Sequence, residues 1–276
     1  MVGFETKSQG FKIGQQGSNV MINGIIQELS KLNCVEAIAL GGSRAGQAYD
    51  KNSDYDVYVY TTELIEEEAR KKILSQYCRY MEIGNHFWEY EDNCVLNNGI
   101  DIDILYRNLN DFCKELEKVV IHCRPSNSYT TCMWHNLLHC NILYDKNGLL
   151  EKAQKSFNIP YPQQLKKAII QRQMKLIDSS MPAYKVQIQK AVKRKDFVSV
   201  NHRITEFLAS YFDLIFALNE KTHPGEKRLI TLCKQNCTLL PENFEENLNQ
   251  LFYHMFDDEV IDIINEIIIC IKKVIA

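Results

Sequence analysis

The chain has 276 residues, of which 45% are apolar and 24% are charged, a balance typical of globular proteins with a substantial core. Its net charge of −3 shows no basic excess, so the composition gives no sign of nucleic-acid binding by bulk electrostatics. The most apolar segment, Val260–Ile275, contains two acidic and two basic residues and is too short and too charged to span a bilayer.

The ten cysteines are scattered among apolar residues. The first residues, MVGFETKSQG, lack the hydrophobic core of a secretion signal. We therefore expect free thiols, a cytoplasmic location and no membrane association.

The first 110 residues alternate between helix and strand patterns. Apolar residues at helical spacing between Ile22 and Leu32 predict an amphipathic helix, and Val35–Leu40 is a short apolar run that stops at two glycines, as a buried strand would. The remaining predictions, in chain order, are a strand at Asp54–Tyr60, a helix at Glu63–Met81, weaker strands at Phe87–Tyr90 and Cys94–Leu96, a turn at Asn97-Asn98-Gly99, and a strand at Ile100–Tyr106.

Strand patterns disappear beyond residue 125, and helical patterns replace them. These run over Tyr129–Leu143, Pro162–Ile177, Ala183–Arg194, Phe197–Asn219, Phe244–Met255 and Glu259–Val274. The sequence therefore predicts an α/β domain over residues 1–120, followed by an all-α helical domain over residues 121–276.

The stretch "GGSRAGQAYDKNSDYDVYVY" carries the first candidate site. Two glycines after a strand let the backbone turn and approach a ligand closely, and N–H groups at a following helix start favour phosphate oxygens. Asp54 and Asp56 are two residues apart on a strand, so their carboxylates project from the same face. Carboxylate oxygens placed in this way suit Mg²⁺ and can bridge two ions.

A second strand repeats the pattern with Asp101 and Asp103. If the two strands are neighbours, three or four carboxylates converge beside the glycine turn and need cations to offset their mutual repulsion. A lone Gly-Gly-Ser is usually a plain turn, and a lone Asp-x-Asp is usually a solvated face. Their order along this chain favours a metal-dependent site for phosphoryl or nucleotidyl transfer.

The segment "LGGSRAGQAYDKNSDYDVYVY" resembles the signature of the DNA polymerase β-type nucleotidyltransferase superfamily. Tyr55 departs from that signature, which prefers an aliphatic residue between the two aspartates. The later segments "GNHFWEYED", "YTTCMWHNLLHCNILYD" and "FALNEKTHPGEKRL" resemble an uncharacterised bacterial DUF4037-like group with a helical C-terminal domain. The overall plan is similar to that of aminoglycoside and lincosamide nucleotidyltransferases.

The resemblance implies an α/β (α+β) nucleotidyltransferase domain with a mixed β-sheet, followed by an all-α helical bundle. It implies transfer of a nucleoside monophosphate, AMP from ATP, to a hydroxyl of a small molecule, with an antibiotic as one possible acceptor. Two Mg²⁺ ions would be held by Asp54, Asp56 and Asp103, with Asp101 as the alternative third carboxylate, and Asp103 would accept the proton of the attacking hydroxyl. The implied nucleotide-binding residues are Gly41, Gly42, Ser43, Arg44, Ser53 and Lys227.

Several residues keep two interpretations. Trp134 and His135, at helical spacing, line an acceptor pocket or belong to the core, and Trp88 shares this ambiguity. Glu206 and Asp213 lie within an otherwise apolar helix. Such a carboxylate either faces the cleft as a base or, as we favour, belongs to an ion pair.

Two rival functions also remain open. One is a toxin–antitoxin-type nucleotidyltransferase that modifies a protein or tRNA, and the other is a non-catalytic nucleotide-binding module. Either a monomer or a homodimer fits the sequence.

Overall fold

A computed structural model describes residues 16–46, 53–87 and 89–276 of the chain. The chain divides into two compact units. The first comprises Met1–Asp111 and His139–Lys152, and the second comprises Phe112–Leu138 and Ala153–Ala276. The predicted domain limit at residue 120 stays a prediction.

The first unit is built on a six-stranded sheet with the strand order β3-β4-β5-β2-β1-β6. Only the β2–β5 pair is parallel, and the other four neighbouring pairs are antiparallel, so the sheet is mixed as predicted. Its elements are α1 (Gln16–Ser30), β1 (Val35–Leu40), α2 (Gly42–Ala45), β2 (Tyr55–Thr61), α3 (Glu67–Leu74), β3 (Cys78–Asn85), β4 (Glu91–Leu96), β5 (Asp101–Arg107) and β6 (Asn141–Asp145).

The two faces of this sheet differ in chemistry because side chains alternate along each strand. One face, here called the helical face, packs against α1 and α3 through apolar side chains such as Leu29, Val57 and Ile104. The other, here called the carboxylate face, bears Asp56 on β2 and Asp103 on β5. The predicted alternation of Tyr55, Val57 and Val59 with Asp56 is thus realised in β2, whereas Asp54 lies just before the strand.

The second unit is helical. The helices that follow β5 along the chain are α4 (Leu109–Val120), α5 (Cys132–His139), α6 (Leu149–Phe157), α7 (Gln163–Met174), a π-helical turn (Lys175–Ser179), α8 (Tyr184–Lys193), α9 (Phe197–Leu218), α10 (Leu229–Asn236), α11 (Phe244–Tyr253) and α12 (Val260–Ile275). Most of α9 is buried, including Phe207, Tyr211 and Phe216, and α7 and α8 pack against it. The predicted fold class, a mixed-sheet domain followed by a helical domain, is confirmed.

Two predicted helices differ from the observed elements. The predicted helix Glu63–Met81 is only α3, and the chain then forms the edge strand β3 because it pairs with β4. The predicted helix Tyr129–Leu143 ends at His139, and Asn141–Asp145 forms β6 against β1. Short apolar runs fit either period, so long-range pairing decides between them.

The weak strand predicted at Phe87–Tyr90 is not present where the structure describes that segment, and the hairpin partner of β3 begins at Glu91. Among the described residues, none of the helices combines the length and the apolar character needed to cross a membrane.

Candidate active site

The parallel pairing of β2 and β5 sets Asp56 directly beside Asp103. Neighbouring strands lie about 4.8 Å apart, and paired residues in register point to the same face. Both aspartates are half-buried. Two carboxylates therefore stand side by side on the carboxylate face, on two separate strands.

The glycine turn lies against this carboxylate pair. The Gly41 N–H donates to the Asp56 carbonyl at 2.8 Å. Gly42 has φ +58, and a Cβ added to it would lie 1.7 Å from Asp56 Oδ2. Only glycine fits there, since any side chain would both strain the backbone and collide with the carboxylate. The short helix expected after the turn is α2.

Arg44, predicted to bind the nucleotide, links α2 to the backbone just before β2. Its Nε donates to the carbonyl oxygens of Ser53 at 2.7 Å and Asp54 at 3.0 Å. The guanidinium also stacks on the ring of Tyr55, 4.0 Å from the centroid. The tyrosine that departs from the superfamily signature thus supplies a platform for Arg44.

The other predicted residues of this region surround the pair. Ser43 is half-buried in α2, and Ser53 precedes β2. Asp54 lies immediately before β2, while Asp101, which is exposed, begins β5 opposite Val95. The register thus gives Asp103, not Asp101, as the direct neighbour of Asp56.

Sequence reasoning missed Asn93, which contacts this pair from β4. Asn93 is paired with Asp103 in the antiparallel ladder, and its Nδ2 donates to Asp103 Oδ1 at 2.8 Å. The signal was present as the alternation of Glu91, Asn93 and Val95, but β4 was predicted to begin later, at Cys94.

The donors of this site are carboxylates from two strands. Over residues 16–46, 53–87 and 89–276, no three His, Cys, Asp or Glu side chains converge into a ready-made metal site. Mg²⁺ in nucleotide sites is usually held by one or two carboxylates together with phosphate oxygens and water. Asp56 and Asp103 supply two such carboxylates, so the residues present fit Mg²⁺ bound with a nucleotide.

Comparison with known families decides the class of the first region. Residues 22–126 match the nucleotidyltransferase domain family, and residues 129–229 match a domain of unknown function, DUF4037. Residues 22–126 are a nucleotidyltransferase domain. The superfamily and the enzyme class predicted from the glycine and aspartate motifs are thereby confirmed.

Among solved structures, the chain resembles a nucleotidyltransferase-like protein from Exiguobacterium sibiricum, with 10% identity, coverage of 94% of this chain and 74% of that one, and a TM-score of 0.42. It also resembles the spectinomycin adenyltransferase AAD(9) from Enterococcus faecialis, solved with ATP and spectinomycin, with 17% identity, coverage of 90% and 99%, and a TM-score of 0.31. An aminoglycoside 6-adenyltransferase from Bacillus subtilis gives 10% identity, coverage of 88% and 89%, and a TM-score of 0.25. These likenesses are too distant to indicate a substrate. No curated protein matches the chain.

Three of the remaining predicted site residues, Trp134, His135 and Lys227, lie in the second unit. Trp134 is 2% exposed, its Nε1 donates to the Phe157 carbonyl at 2.9 Å, and its ring lies 5.4 Å from that of Tyr161. This is the placement of a core residue, so the acceptor-binding role predicted for Trp134 does not suit it.

The other three predicted contacts stay predictions. His135 Nδ1 lies 2.8 Å from Thr222 Oγ1 within the second unit. Lys227 is exposed in the turn before α10. Trp88 lies outside the described residues.

Asp213, the buried aspartate of α9, has neutral partners rather than the ion pair that the sequence favoured. Its carboxylate accepts from the Thr130 N–H at 3.0 Å, from Thr130 Oγ1 at 2.7 Å and from Gln173 Nε2 at 2.7 Å. Burial raises the pKa of Asp213 to about 6, although these hydrogen bonds act in the opposite direction. Asp213 thus ties α7 and α9 to the segment before α5.

A buried histidine lies beside the same segment. The backbone N–H of His223 donates to Thr131 Oγ1 at 2.8 Å, and the ring Nδ1 of His223 accepts from the backbone N–H of Gly225 at 3.2 Å. Burial lowers the pKa of His223 to about 3, so the ring is neutral. It serves packing and hydrogen bonding within the second unit rather than proton transfer near neutral pH.

Proposed function

We propose that the nucleotidyltransferase domain uses Asp56 and Asp103 to transfer a nucleoside monophosphate to a hydroxyl group of a small-molecule acceptor. The observation that carries this proposal is the pairing of Asp56 with Asp103 on adjacent parallel strands, with Gly42 pressed against Asp56. Carboxylates beside a close backbone turn suit a triphosphate, because they can share cations with its oxygens.

In this proposal Asp56 and Asp103, together with Asp54, would hold Mg²⁺. When bound, Mg²⁺ neutralises charge on the phosphates and stabilises the charge that develops during in-line displacement. The turn at Gly41 and Gly42 lets the triphosphate approach the carboxylates closely. Arg44 acts on the site through the backbone of Ser53 and Asp54, which it positions.

Asp103 is the proposed base. It accepts the proton of the acceptor hydroxyl while that oxygen forms a bond to the α-phosphorus. The bond from the α-phosphorus to the bridging oxygen breaks, and pyrophosphate leaves. Orientation of the reactants and neutralisation of charge supply most of the acceleration in such transfers.

ATP as the donor and a small molecule as the acceptor follow from the sequence resemblance. They are tested with a panel of hydroxylated acceptors, aminoglycosides and lincosamides included, by measuring pyrophosphate release with each of the four nucleoside triphosphates. We expect release with ATP and at least one acceptor.

A label transferred from ATP to a protein or RNA in cell extract would favour the macromolecular rival. Tight ATP binding without release across the panel would favour the non-catalytic module.

The third carboxylate is identified by a matched pair of variants. Asp103→Asn and Asp101→Asn make the same change two residues apart on one face of β5. We expect loss of pyrophosphate release in Asp103→Asn and a much smaller effect in Asp101→Asn. The reverse order would transfer the role to Asp101.

A further inference from the structure

A continuous row of hydrogen bonds crosses the carboxylate face from its edge to Asp103. Tyr80 Oη donates to Glu82 Oε1 at 2.6 Å, and Asn85 Nδ2 donates to Glu82 Oε2 at 3.2 Å. Asn85 Nδ2 also donates to Asn93 Oδ1 at 2.7 Å, and Asn93 Nδ2 donates to Asp103 Oδ1 at 2.8 Å. These five side chains, here called the polar row, come from β3, β4 and β5.

The direction of these bonds fixes the orientation of each amide. Asn93 can donate to Asp103 only if its Nδ2 points to β5, which leaves its Oδ1 toward β3. Asn85 occupies that side with a donor, so a flipped Asn93 would bring two N–H₂ groups together. The hydrogen bonds from Tyr80 and Asn85 lower the pKa of Glu82 below its ordinary value, so Glu82 is an anionic acceptor for Asn85.

A β-bulge brings Asn85 into the row. In a regular strand, Glu82 and Asn85 would point to opposite faces, because they are three residues apart. The register of β3 against β4 shifts between Glu82 and Asn85, and Gly84 at the irregularity has φ +76. The shift turns Asn85 to the carboxylate face, which is a recognised use of bulges beside active sites.

The bulge is held from the opposite face of the sheet. The Gly84 N–H donates to Asp92 Oδ1 at 2.9 Å, and Asp92 is buried in an ion pair with Arg70. Tyr106 Oη donates to Asp92 Oδ2 at 2.9 Å. Asp92 and Asn93 are consecutive on β4. Asp92 therefore holds the bulge from the helical face, and Asn93 accepts the hydrogen bond from Asn85 on the carboxylate face.

We propose that Asn93 is a positioning residue that sets the Asp103 carboxylate for nucleotide binding, and that Asn85 acts through Asn93 by fixing its amide. The hydrogen bond on Oδ1 restricts rotation of the Asp103 carboxylate and leaves Oδ2 available toward the nucleotide. This inference rests on the function proposed above. Loss of an outer partner of a ligating carboxylate weakens metal affinity or activity about 10- to 100-fold in other proteins.

The test has two readouts that need no knowledge of the acceptor. The first is a crystal structure of the Asn93→Ala variant, in which we expect the Asp103 side chain to leave its wild-type rotamer. The second is calorimetric titration with ATP and Mg²⁺. We expect loss of binding in Asp103→Ala, about 10-fold weaker binding in Asn93→Ala, and an intermediate loss in Asn85→Ala.

Two further variants separate positioning from general damage to the fold. Because Asn85 acts through Asn93, the double variant Asn85→Ala/Asn93→Ala should bind no more weakly than Asn93→Ala alone. Asn97→Ala makes the same substitution at an exposed position just after β4 and should bind as the wild type does.

The outcomes distinguish this inference from the proposed function. An unmoved Asp103 side chain in Asn93→Ala, additive losses in the double variant, or wild-type binding by Asn93→Ala when Asp103→Ala has lost binding would each overturn the inference alone. Wild-type binding by both Asp56→Ala and Asp103→Ala would instead overturn the proposed site.

Discussion

Asp92 on the helical face and the Asp56–Asp103 pair on the carboxylate face are acidic groups in opposite settings. On the helical face, Asp92 and Arg70 are both fully buried and form an ion pair. On the carboxylate face, Asp56 and Asp103 are half-buried neighbours of like charge. A buried opposite-charge pair supports the fold as long as both partners are present, whereas two adjacent carboxylates are a feature that binding of a cation and its ligand would explain.

Residues with a structural role and residues of the candidate site can be neighbours on the same strand. Asp92 and Asn93 are adjacent on β4, yet one belongs to the buried ion pair and the other to the polar row. Substitutions in the Arg70–Asp92 pair should therefore chiefly lower folding stability, whereas substitutions of Asp56 and Asp103 should chiefly lower activity.

The largest effect is expected on the carboxylate face. Asp56→Asn should reduce pyrophosphate release by about 10⁴-fold, as for other residues that act directly on the reacting groups. The free energy of unfolding should stay within about 0.5 kcal/mol of the wild type, since the side chain is half-buried and the change is isosteric. Pyrophosphate release at the wild-type rate by Asp56→Asn would contradict the catalytic role proposed for Asp56.

On the helical face, Arg70→Leu should lower the free energy of unfolding by about 3–5 kcal/mol, because it leaves the Asp92 carboxylate buried without its charged partner. Denaturant titration measures this loss. The companion variant Arg70→Leu/Asp92→Leu removes both charges and should recover part of the stability. The ion-pair explanation would be contradicted if the double variant lost more stability than the single variants Arg70→Leu and Asp92→Leu lose together.

The second unit offers a comparison between the buried Asp92, which has a charged partner, and the buried Asp213, which has neutral ones. Burial raises the pKa of Asp213 from 3.8 to about 6, a difference worth about 3 kcal/mol. Its contribution to stability is fully present below pH 3.8 and is lost as the pH rises through about 6. Unfolding of the wild type and Asp213→Asn should be compared from pH 4 to pH 8.

As the pH rises from 4 to 8, we expect the free energy of unfolding of Asp213→Asn to rise by about 3 kcal/mol relative to that of the wild type. His223 has the opposite sign, because its lowered pKa makes its contribution fall as the pH drops below 6.5. Only the difference between the two proteins isolates Asp213. A difference that does not change with pH would show that Asp213 does not titrate in this range.

The smallest effect tests the close approach of the glycine turn. Gly42→Ala should lower pyrophosphate release about 100-fold, because its Cβ displaces the turn or the Asp56 carboxylate. Gly148→Ala is the matched control, since Gly148 also has a positive φ, +67, but no atom lies within 4 Å of an added Cβ. Equal losses of activity in the two variants would point to backbone strain rather than to the contact with Asp56.

The superfamily motif could be recognised from the sequence because it is local. The glycine pair after β1 and the two aspartates at the start of β2, Asp54 just before it and Asp56 within it, are read from a stretch of twenty residues. The same is true of the long helices α9 and α12, whose apolar spacing predicted their existence and nearly their ends.

Other parts of the candidate site could not be read in this way. The edge strand β3 was predicted as the end of a helix, so neither the bulge at Gly84 nor the contact from Asn85 to Asn93 was foreseen. The role of Arg44 was also hidden, because its acceptors are backbone carbonyls nine and ten residues away.

The sequence by itself determined the class of this protein and the strand that carries the Asp54–Asp56 motif. It favoured Asp103 as the third carboxylate only by resemblance to the superfamily, with Asp101 as the alternative, because both lie on the same face of β5. The tertiary structure alone placed Asp103 beside Asp56, and it brought Asn93 to Asp103 from a third strand. The physical reason is that side-chain alternation is a property of one strand, whereas register is set by hydrogen bonds between strands distant in the chain.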